Sequence, residues 1–250
     1  MILIDSVEKQ QIKLLAKTLR IPSFTKYDSI LRQNDSTLTY EKLILLLMKQ
    51  ELAAREINRH TRLMRVAKFP YVKTLSEYDN TRLHHIQPAY VNELSGCDYI
   101  SKRENIIMLG NPGSGKTHLS IALGIKACEA GYHVKFMTAA RLVNEMTEAK
   151  DSRNLLKLER ALTKVDLLII DELSYVRFNR AQSELLFQII SERSERGSII
   201  TSSNLEFSKW VDLFENEMML SALIDRLTFK SHILNLNTKD NLGRSSLKTK

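Results

Sequence analysis

Cysteine and long apolar runs are both scarce in this sequence, and each shortage excludes a class of protein. Two cysteines, Cys97 and Cys128, cannot build the disulfide framework of a small secreted domain, so we interpret them as free thiols. Cys and His do not cluster with metal-ligand spacing, and the pair His84 and His85 is isolated. We therefore predict no zinc site.

Hydrophobic segments are too short to cross a bilayer, since the longest are LILLLM at 43–48 and LLII at 167–170. The N-terminus MILIDSVEKQ has acidic residues where a signal peptide has basic ones. With 43% hydrophobic and 26% charged residues, the composition is that of a soluble globular protein. We expect a cytoplasmic protein that has no membrane partner.

The formal charge of +8 is unevenly distributed along the 250 residues. Residues 1–100 contain 15 basic and 11 acidic residues, residues 101–227 contain 17 of each, and the last 23 residues contain five and one. Basic flanks around a neutral middle indicate a polyanionic partner that contacts the ends of the chain. Ordinary solvated surface is the alternative interpretation.

Two helical patterns, at 7–20 and 38–68, precede a polar junction, and beyond it strands and helices alternate. The predicted strands lie at 105–109, 133–138, 165–171, 197–203 and 232–237, with predicted helices at 117–130, 139–149, 152–162, 181–195 and 218–228. This alternation predicts an α/β fold with a mostly parallel sheet covered on both faces. We divide the chain into a helical DNA-binding and assembly domain (1–69), a linker that packs on the core (70–104) and a nucleotide-binding domain with a basic tail (105–250).

The second helical pattern carries a row of basic side chains. Arg55, Arg59 and Arg62 are spaced at i, i+4 and i+7 and share one face, which Arg65 and Lys68 extend. A basic helix face suits phosphate contacts along nucleic acid, so these five residues are the predicted DNA-binding set. A membrane-surface or partner-docking helix fits the pattern less well.

Four tyrosines in the linker have two possible roles. They either stack nucleic-acid bases or pack the linker on the main domain. They are Tyr71, Tyr78, Tyr90 and Tyr99.

The segment LGNPGSGKTHLS at 109–120 contains the phosphate-loop pattern G-x-x-x-x-G-K-[ST]. It follows a predicted strand and opens a predicted helix, the context in which backbone N–H groups point at phosphate oxygens. Lys116 is expected to reach the β- and γ-phosphates, and the Thr117 hydroxyl to bind Mg²⁺. The predicted nucleotide-binding residues are Gly110, Asn111, Pro112, Gly113, Ser114, Gly115, Lys116, Thr117 and His118.

The apolar strand in VDLLIIDEL (165–173) ends in two acids, Asp171 and Glu172. Ligands bind at the carboxyl edge of such a sheet, so these side chains should meet the phosphate loop there. Asp171 is predicted to hold Mg²⁺ through water, and Glu172 to deprotonate the attacking water. The pair therefore predicts nucleotide hydrolysis.

Two later residues complete the predicted catalytic set. Asn204 ends the strand in IITSSNL (199–205), where its amide can hold the water near the γ-phosphate; a turn-forming Asn is the alternative. Arg226, in SALIDRLTF (221–229), can stabilise charge on the phosphoryl group of a neighbouring subunit, which requires an oligomer. An ion pair of Arg226 with Asp225 or another nearby acid is its alternative.

These elements, in this order, resemble the AAA+ ATPases, and within them the IstB family of insertion-sequence helper ATPases. The segments ELAAREINRHTRLMRVAKFPYVKTLSEYD (51–79), TAARLVNEM (138–146), SNLEFSKW (203–210) and ALIDRL (222–227) are also similar to IstB. The resemblance implies a sheet in the order 5-1-4-3-2 and a small helical N-terminal domain. It further implies ATP rather than GTP, and an oligomer that bends duplex DNA and delivers or activates a cognate transposase.

The sequence departs from the IstB pattern at one place, and three alternative functions stay open. LGRSSLKTK (242–250) has Ser246 and Leu247 where IstB-like chains have a Tyr and a candidate sensor-2 Arg, so no sensor-2 residue is assigned. A DnaC-like helicase loader that binds single-stranded DNA is the main alternative function. A small-molecule kinase and a nucleotide-switched scaffold are the other two.

Overall fold

The structure, a computed structural model, describes residues 7–33, 38–78 and 86–237. The chain divides into two compact units, residues 1–62 and residues 63–250. Among the described residues, no helix combines the length and the apolar character needed to span a bilayer.

The first unit is a small helical assembly. Its elements are α1 (Val7–Thr18), a 3-10 helix (Pro22–Lys26), α2 (Tyr27–Gln33) and the N-terminal part of α3 (Tyr40–Ala67). The predicted helices at 7–20 and 38–68 match α1 and α3, whereas α2 was not predicted. Glu51 is buried in this unit, where it accepts hydrogen bonds from the Ser23 N–H at 3.0 Å and from Arg55 at 2.8 Å.

The second unit begins with the C-terminal end of α3 and contains a five-stranded sheet. Its helices are α4 (Pro88–Ser95), α5 (Asp98–Ser101), α6 (Lys116–Glu129), α7 (Ala139–Asp151), α8 (Leu155–Thr163), α9 (Arg180–Arg193) and α10 (Glu217–Thr228). Its strands are β1 (Asn105–Leu109), β2 (Val134–Thr138), β3 (Leu167–Asp171), β4 (Ser198–Ser203) and β5 (Ser231–Asn235). Short 3-10 helices lie at Leu75–Glu77, Leu173–Tyr175 and Phe207–Leu213.

All four strand pairs are parallel, and the order is β2-β3-β4-β1-β5. This is the predicted order 5-1-4-3-2 read from the opposite edge, so the predicted fold class is confirmed. Strands β1, β3 and β4 lie inside the sheet and are almost wholly buried, as strands covered by helices on both faces must be.

Alternate residues of the inner strands supply two separate hydrophobic cores. Ile106, Met108 and Ile169 enter the core on the α6 side, whereas Ile107 and Ile170 enter the core formed with α7, α9 and α10. Because successive side chains of a strand point to opposite faces, a continuous apolar run fills both layers. The carboxyl ends of β1, β3 and β4 consequently meet at one edge, where the predicted site residues lie.

The segment predicted as a linker contributes directly to the core of the second unit. Helices α4 and α5 were not predicted, and Val91, Leu94 and Ile100 are buried in the core on the α6 side. Tyr78 and Tyr99 are 9% and 2% exposed, so these rings pack and are not available to stack bases. Proline at the start of α4 fits the helix N-terminus, where an N–H is not needed.

Arg193 is a buried cation that connects the segments at the start of strands β3 and β4. Its side chain is fully buried, and its guanidinium donates to the carbonyl oxygens of Leu162, Val165 (3.0 Å), Asp166 (3.4 Å) and Ser198 (2.8 Å). Even though burial lowers its pKa to about 10, the group stays charged at neutral pH. Arg193 thus satisfies carbonyl groups that would otherwise be buried without a donor.

Replacing Arg193 with Met should destabilise the protein by about 3–5 kcal/mol, because buried carbonyls lose their donors while the chain keeps a side chain of similar length. Chemical denaturation measures this as a lower unfolding midpoint. Arg196→Met, at an exposed arginine three residues away, is the matched control and should shift the midpoint little. Equal midpoints for both variants would contradict the structural role of Arg193.

Candidate functional site

The phosphate loop connects β1 to α6 and has the backbone shape that binds an anion. Gly113 and Gly115 have φ values of 81° and 89°, in the left-handed region that favours glycine. A Cβ added at Gly115 would also lie 3.0 Å from the ring of Tyr78. Helix α6 begins at Lys116, so the N–H groups of its first turn point into the loop.

The Lys116 side chain lies inside this loop. Its ammonium donates to the carbonyl oxygens of Gly110 at 2.5 Å and Asn111 at 2.9 Å, and contacts the Ser114 hydroxyl at 3.4 Å. Desolvation lowers the pKa of Lys116, and the negative charges of Asp171 and Glu172 act in the opposite direction. The structure therefore brings the predicted phosphate-binding cation and both predicted acids to the same site.

Asp171 ends β3 as a buried carboxylate, only 2% exposed. The Ser202 hydroxyl on the neighbouring strand donates to Asp171 Oδ1 and accepts from the Glu172 N–H at 2.9 Å. Ser202 thereby fixes the Asp171 carboxylate and the start of the following turn. Ser202 is not among the predicted site residues, because its place beside Asp171 depends on the register between β3 and β4.

Glu172 adopts a left-handed conformation, with φ 61° and ψ 42°, that is unusual for a residue with a side chain. Such a conformation costs about 1–3 kcal/mol and persists only where the surroundings impose it. Here the Glu172 N–H bond to Ser202 and the 3-10 helix at Leu173–Tyr175 impose it. The side chain of Glu172 is exposed and lines the pocket that contains Lys116 and Thr117.

Asn204 follows β4, and Ser174 holds its side chain in place. The Ser174 hydroxyl donates to Asn204 Oδ1 and accepts from the Asn204 backbone N–H at 3.2 Å. With Oδ1 as the acceptor, the amide NH₂ is left as a donor at the pocket. Ser174 is a second residue that sequence reasoning missed, because an ordinary serine in a short turn has no recognisable signal.

Lys116, Glu172 and Asn204 line one cavity of about 300 Å³ at the carboxyl ends of the strands, whereas Asp171 is not a lining residue but contacts one, Ser202. The lining comprises Tyr71, Pro112, Gly113, Gly115, Lys116, Thr117, His118, Glu172, Ser174, Tyr175, Ser202, Ser203 and Asn204. The structure therefore brings the predicted loop, general base and amide together around a single cavity.

The oxygen donors in and beside this cavity fit a magnesium ion. Mg²⁺ is usually bound through one or two carboxylates together with substrate phosphates, rather than by a cage of protein ligands. Asp171 supplies a buried carboxylate and Thr117 a hydroxyl at the start of α6. Within the described residues, no group of three or more His, Cys, Asp and Glu could hold a metal ion by itself.

A segment N-terminal to the core, residues 71–78, lies against the phosphate loop. His118 Nε2 lies 2.9 Å from the Thr74 carbonyl oxygen, and the His118 ring meets the Tyr78 ring edge-on at 5.1 Å. Tyr71 lines the cavity, where desolvation and the nearby Asp171 and Glu172 charges raise its pKa. Tyr71 is thus a cavity residue, a role that neither predicted alternative for it included.

Arg226 lies near the amino-terminal ends of the strands, whereas the phosphate loop lies at their carboxyl ends. It precedes Leu227 near the end of α10, and the Leu227 carbonyl accepts from the Asn105 side chain at the start of β1. The phosphate loop follows the other end of β1, about 15 Å away for a five-residue strand. Arg226 is exposed, and across the described ranges of the chain it forms no ion pair with Asp225 or another acid.

The five predicted DNA-binding residues are all exposed, but they are not equivalent. Arg55 contacts its own unit: besides Glu51, its guanidinium donates to the Arg20 carbonyl at 2.7 Å. Arg59 lies 3.8 Å from Glu56, at the edge of ion-pair distance. Arg65 is on the same helix, and Lys68 follows the helix end with φ 58°.

The basic C-terminal tail from residue 238 onward, including the sensor-2 region, lies outside the described residues.

Comparison with known sequences gives consistent matches over nearly the whole chain. A sequence profile described as IstB-like ATP binding protein matches residues 15–249. The ATP-binding protein named for insertion sequence IS21 of Pseudomonas aeruginosa is 34% identical over 228 residues, covering 90% of this chain and 86% of that protein. The one named for IS5376 of Geobacillus stearothermophilus is 33% identical over 230 residues, covering 91% and 92%.

Comparison with solved structures establishes the fold. AMPPCP-bound DnaA from Aquifex aeolicus superimposes with a TM-score of 0.58 at 22% identity, covering 70% of this chain and 52% of that chain. A DnaI structure gives a TM-score of 0.53 at 16% identity, covering 68% and 89%. Identities this low support the AAA+ fold alone. Since the family profile covers 15–249 and two relatives exceed 30% identity, this chain belongs to the family of IstB-like ATP-binding proteins.

Proposed function

We propose that this protein hydrolyses ATP to ADP and phosphate in the cavity between the phosphate loop and β3. The N–H groups of 113–116 and the Lys116 ammonium bind the phosphates. Thr117, and Asp171 through water, would hold Mg²⁺, which would neutralise charge on the β- and γ-phosphates.

In the same proposal, two residues at the carboxyl edge act on the attacking water. Glu172, exposed at the cavity, accepts a proton from this water. Asn204, with Oδ1 held by Ser174, donates an amide hydrogen to the water or to the γ-phosphate.

The observation that carries the proposal is the separation of the hydrolytic residues from Arg226. Lys116, Glu172 and Asn204 lie at the carboxyl ends of the strands, whereas Arg226 lies near the amino-terminal ends. Among the described residues, Arg226 has no acidic partner. An arginine placed in this way cannot serve its own site but is free to enter that of a neighbour. We propose that subunits assemble head to tail, so that each supplies Arg226 to the next.

We further propose that this oligomer assembles on duplex DNA, remodels it, and delivers or activates a transposase at a target site. The relatives support this role because they are named for insertion sequences. Exposed cations on α3, including Arg59 and Arg62, supply a surface for the DNA backbone.

Sedimentation of the full chain with Mg²⁺ and a non-hydrolysable ATP analogue tests this function. We expect large assemblies on duplex DNA but not with nucleotide or DNA alone. Lys116→Ala should abolish assembly, because phosphate binding is lost. Arg59→Glu with Arg62→Glu should reduce DNA binding while sparing nucleotide binding. These two positions are chosen because Arg55 also holds its own unit together.

The comparison of DNA forms decides between the two main functions. Assembly on single strands only would favour a helicase loader of the DnaC type over the transposition helper. Assembly on neither form would contradict DNA-dependent function altogether.

A further inference from the structure

Helix α8 carries a row of cations on its solvent face. Lys157 and Arg160 lie on α8 and Lys164 is its C-cap; this spacing places the three within an arc of about 60° on a helix, and Arg153 lies in the turn before the helix. All four are exposed, and together they line a shallow cavity of about 500 Å³. The rest of its lining is Asn154, Leu156 and Ala161, so the lining includes no acidic side chain.

The charges of this row are not neutralised within the described part of the chain, where none of the four forms an ion pair. The only acid on α8, Glu159, is 6% exposed and lies on the opposite face. Three cations on other helices of this unit do have acidic partners: Lys126 pairs with Glu129 at 2.7 Å, Arg141 with Glu145 at 2.8 Å and Arg180 with Glu184 at 3.2 Å. A region that is neutral in total therefore has a local positive surface.

Packing of the buried side of α8 fixes the direction of the row. Leu162 is buried in the core formed with α7 and α9, and Leu158 packs against the same core. From 157 to 164 the chain advances about 10 Å along the helix axis, which is close to the axial length of three phosphate steps on one strand of duplex DNA. A rigid row of cations therefore matches the fixed phosphate spacing of a duplex, whereas a flexible single strand has no fixed phosphate spacing.

We propose that the α8 cation row is a second DNA contact, located in the ATP-binding unit, which binds the phosphate backbone of duplex DNA without reading base sequence. The inference rests on the proposed DNA-binding function and adds a contact separate from α3. Because the lining has no aromatic ring to stack bases and no acidic side chain, the contact is electrostatic.

The test is the salt dependence of duplex binding by the full chain, with Mg²⁺ and a non-hydrolysable ATP analogue. The variant carries Lys157→Gln, Arg160→Gln and Lys164→Gln; Arg153 is left unchanged because its φ of 56° makes its backbone sensitive to substitution. Each lost phosphate contact makes the slope of log affinity against log salt less steep by about 0.9, so we expect a change of about 2–3. Affinity near 0.1 M salt should fall about 10- to 100-fold.

Two control variants distinguish loss of this DNA contact from a general loss of positive charge. Lys126→Gln, Arg141→Gln and Arg180→Gln together remove the same number of charges, but from ion-paired cations, and should leave the slope nearly unchanged. A variant with Lys157→Arg, Arg160→Lys and Lys164→Arg keeps the charges and should bind duplex like the wild type. The thermal unfolding midpoint confirms that each variant is folded.

The outcomes distinguish failure of this inference from failure of the proposed function. A wild-type chain that binds no duplex DNA would overturn both. Normal wild-type binding with an unchanged slope in the Gln variant would overturn the α8 contact alone and favour an acidic protein as the partner of this surface. Loss of binding to single strands but not to duplex would also overturn it.

Discussion

Replacing Glu172 with Gln should slow ATP hydrolysis by about 10²–10⁴-fold while leaving ATP binding nearly intact. The amide keeps the size and hydrogen-bonding reach of the side chain but cannot accept a proton from water. Glu172 is exposed at the cavity and is not among the groups that anchor the phosphate loop, so its neutralisation should affect chemistry rather than binding. Phosphate release without any acceptor substrate, together with the Kd for a fluorescent ATP analogue, measures both quantities.

The control for this experiment is Glu195→Gln, since Glu195 is exposed and does not line the cavity that contains Lys116 and Glu172. Its hydrolysis rate should match the wild type. A Glu172→Gln protein that hydrolyses ATP at the wild-type rate would remove Glu172 from the mechanism. If the wild type turns over only when an acceptor molecule is added, the kinase alternative would replace the ATPase.

The second large effect is expected at Arg226. Arg226→Ala should reduce hydrolysis by about 10³-fold, because a cation that stabilises charge on the transferred phosphoryl group is lost. Nucleotide binding by the isolated subunit should persist, since Arg226 lies about one strand length from its own phosphate loop.

Mixing two inactive variants tests whether Arg226 acts on a neighbour. Arg226→Ala subunits keep Lys116 and Glu172, and Glu172→Gln subunits keep Arg226 and still bind ATP. We expect the mixture to regain hydrolysis that neither variant shows alone. Arg180→Ala, at an arginine paired with Glu184 on the exposed side of α9, is the control and should stay active. A mixture that stays inactive, or an Arg226→Ala protein with wild-type activity, would contradict action in trans.

Local patterns were enough to predict the fold class and to bring the phosphate-loop residues and Glu172 to one proposed site. The glycines of the phosphate loop are required by left-handed φ values at Gly113 and Gly115, and this requirement is visible in any sequence that contains them. The continuous apolar run of β3 shows that both faces are covered, and it places Asp171 at the end of the strand. Strands alternating with helices then predict the parallel sheet, and the family resemblance predicts its order.

Positions that depend on strand register and packing were not predictable in this way. Ser202 meets Asp171 because β4 pairs with β3, and Ser174 meets Asn204 because a short turn folds back on the strand end. Tyr71 lines the cavity although it precedes the phosphate loop by about forty residues. Contacts between residues far apart in sequence leave no periodic signal.

The sequence by itself determined the chemistry of the phosphate loop, the acidic strand end and the basic charge of the flanks, because each depends on residue types at short spacing. The tertiary structure decided which basic side chains pair with an acidic side chain. It paired Arg55 with Glu51, while Arg226 and Lys157 carry no acidic partner within the described residues. It also separated Arg226 from its own phosphate loop by the length of a strand. The physical reason is that pairing and burial depend on distances in space, which the spacing along a chain does not specify.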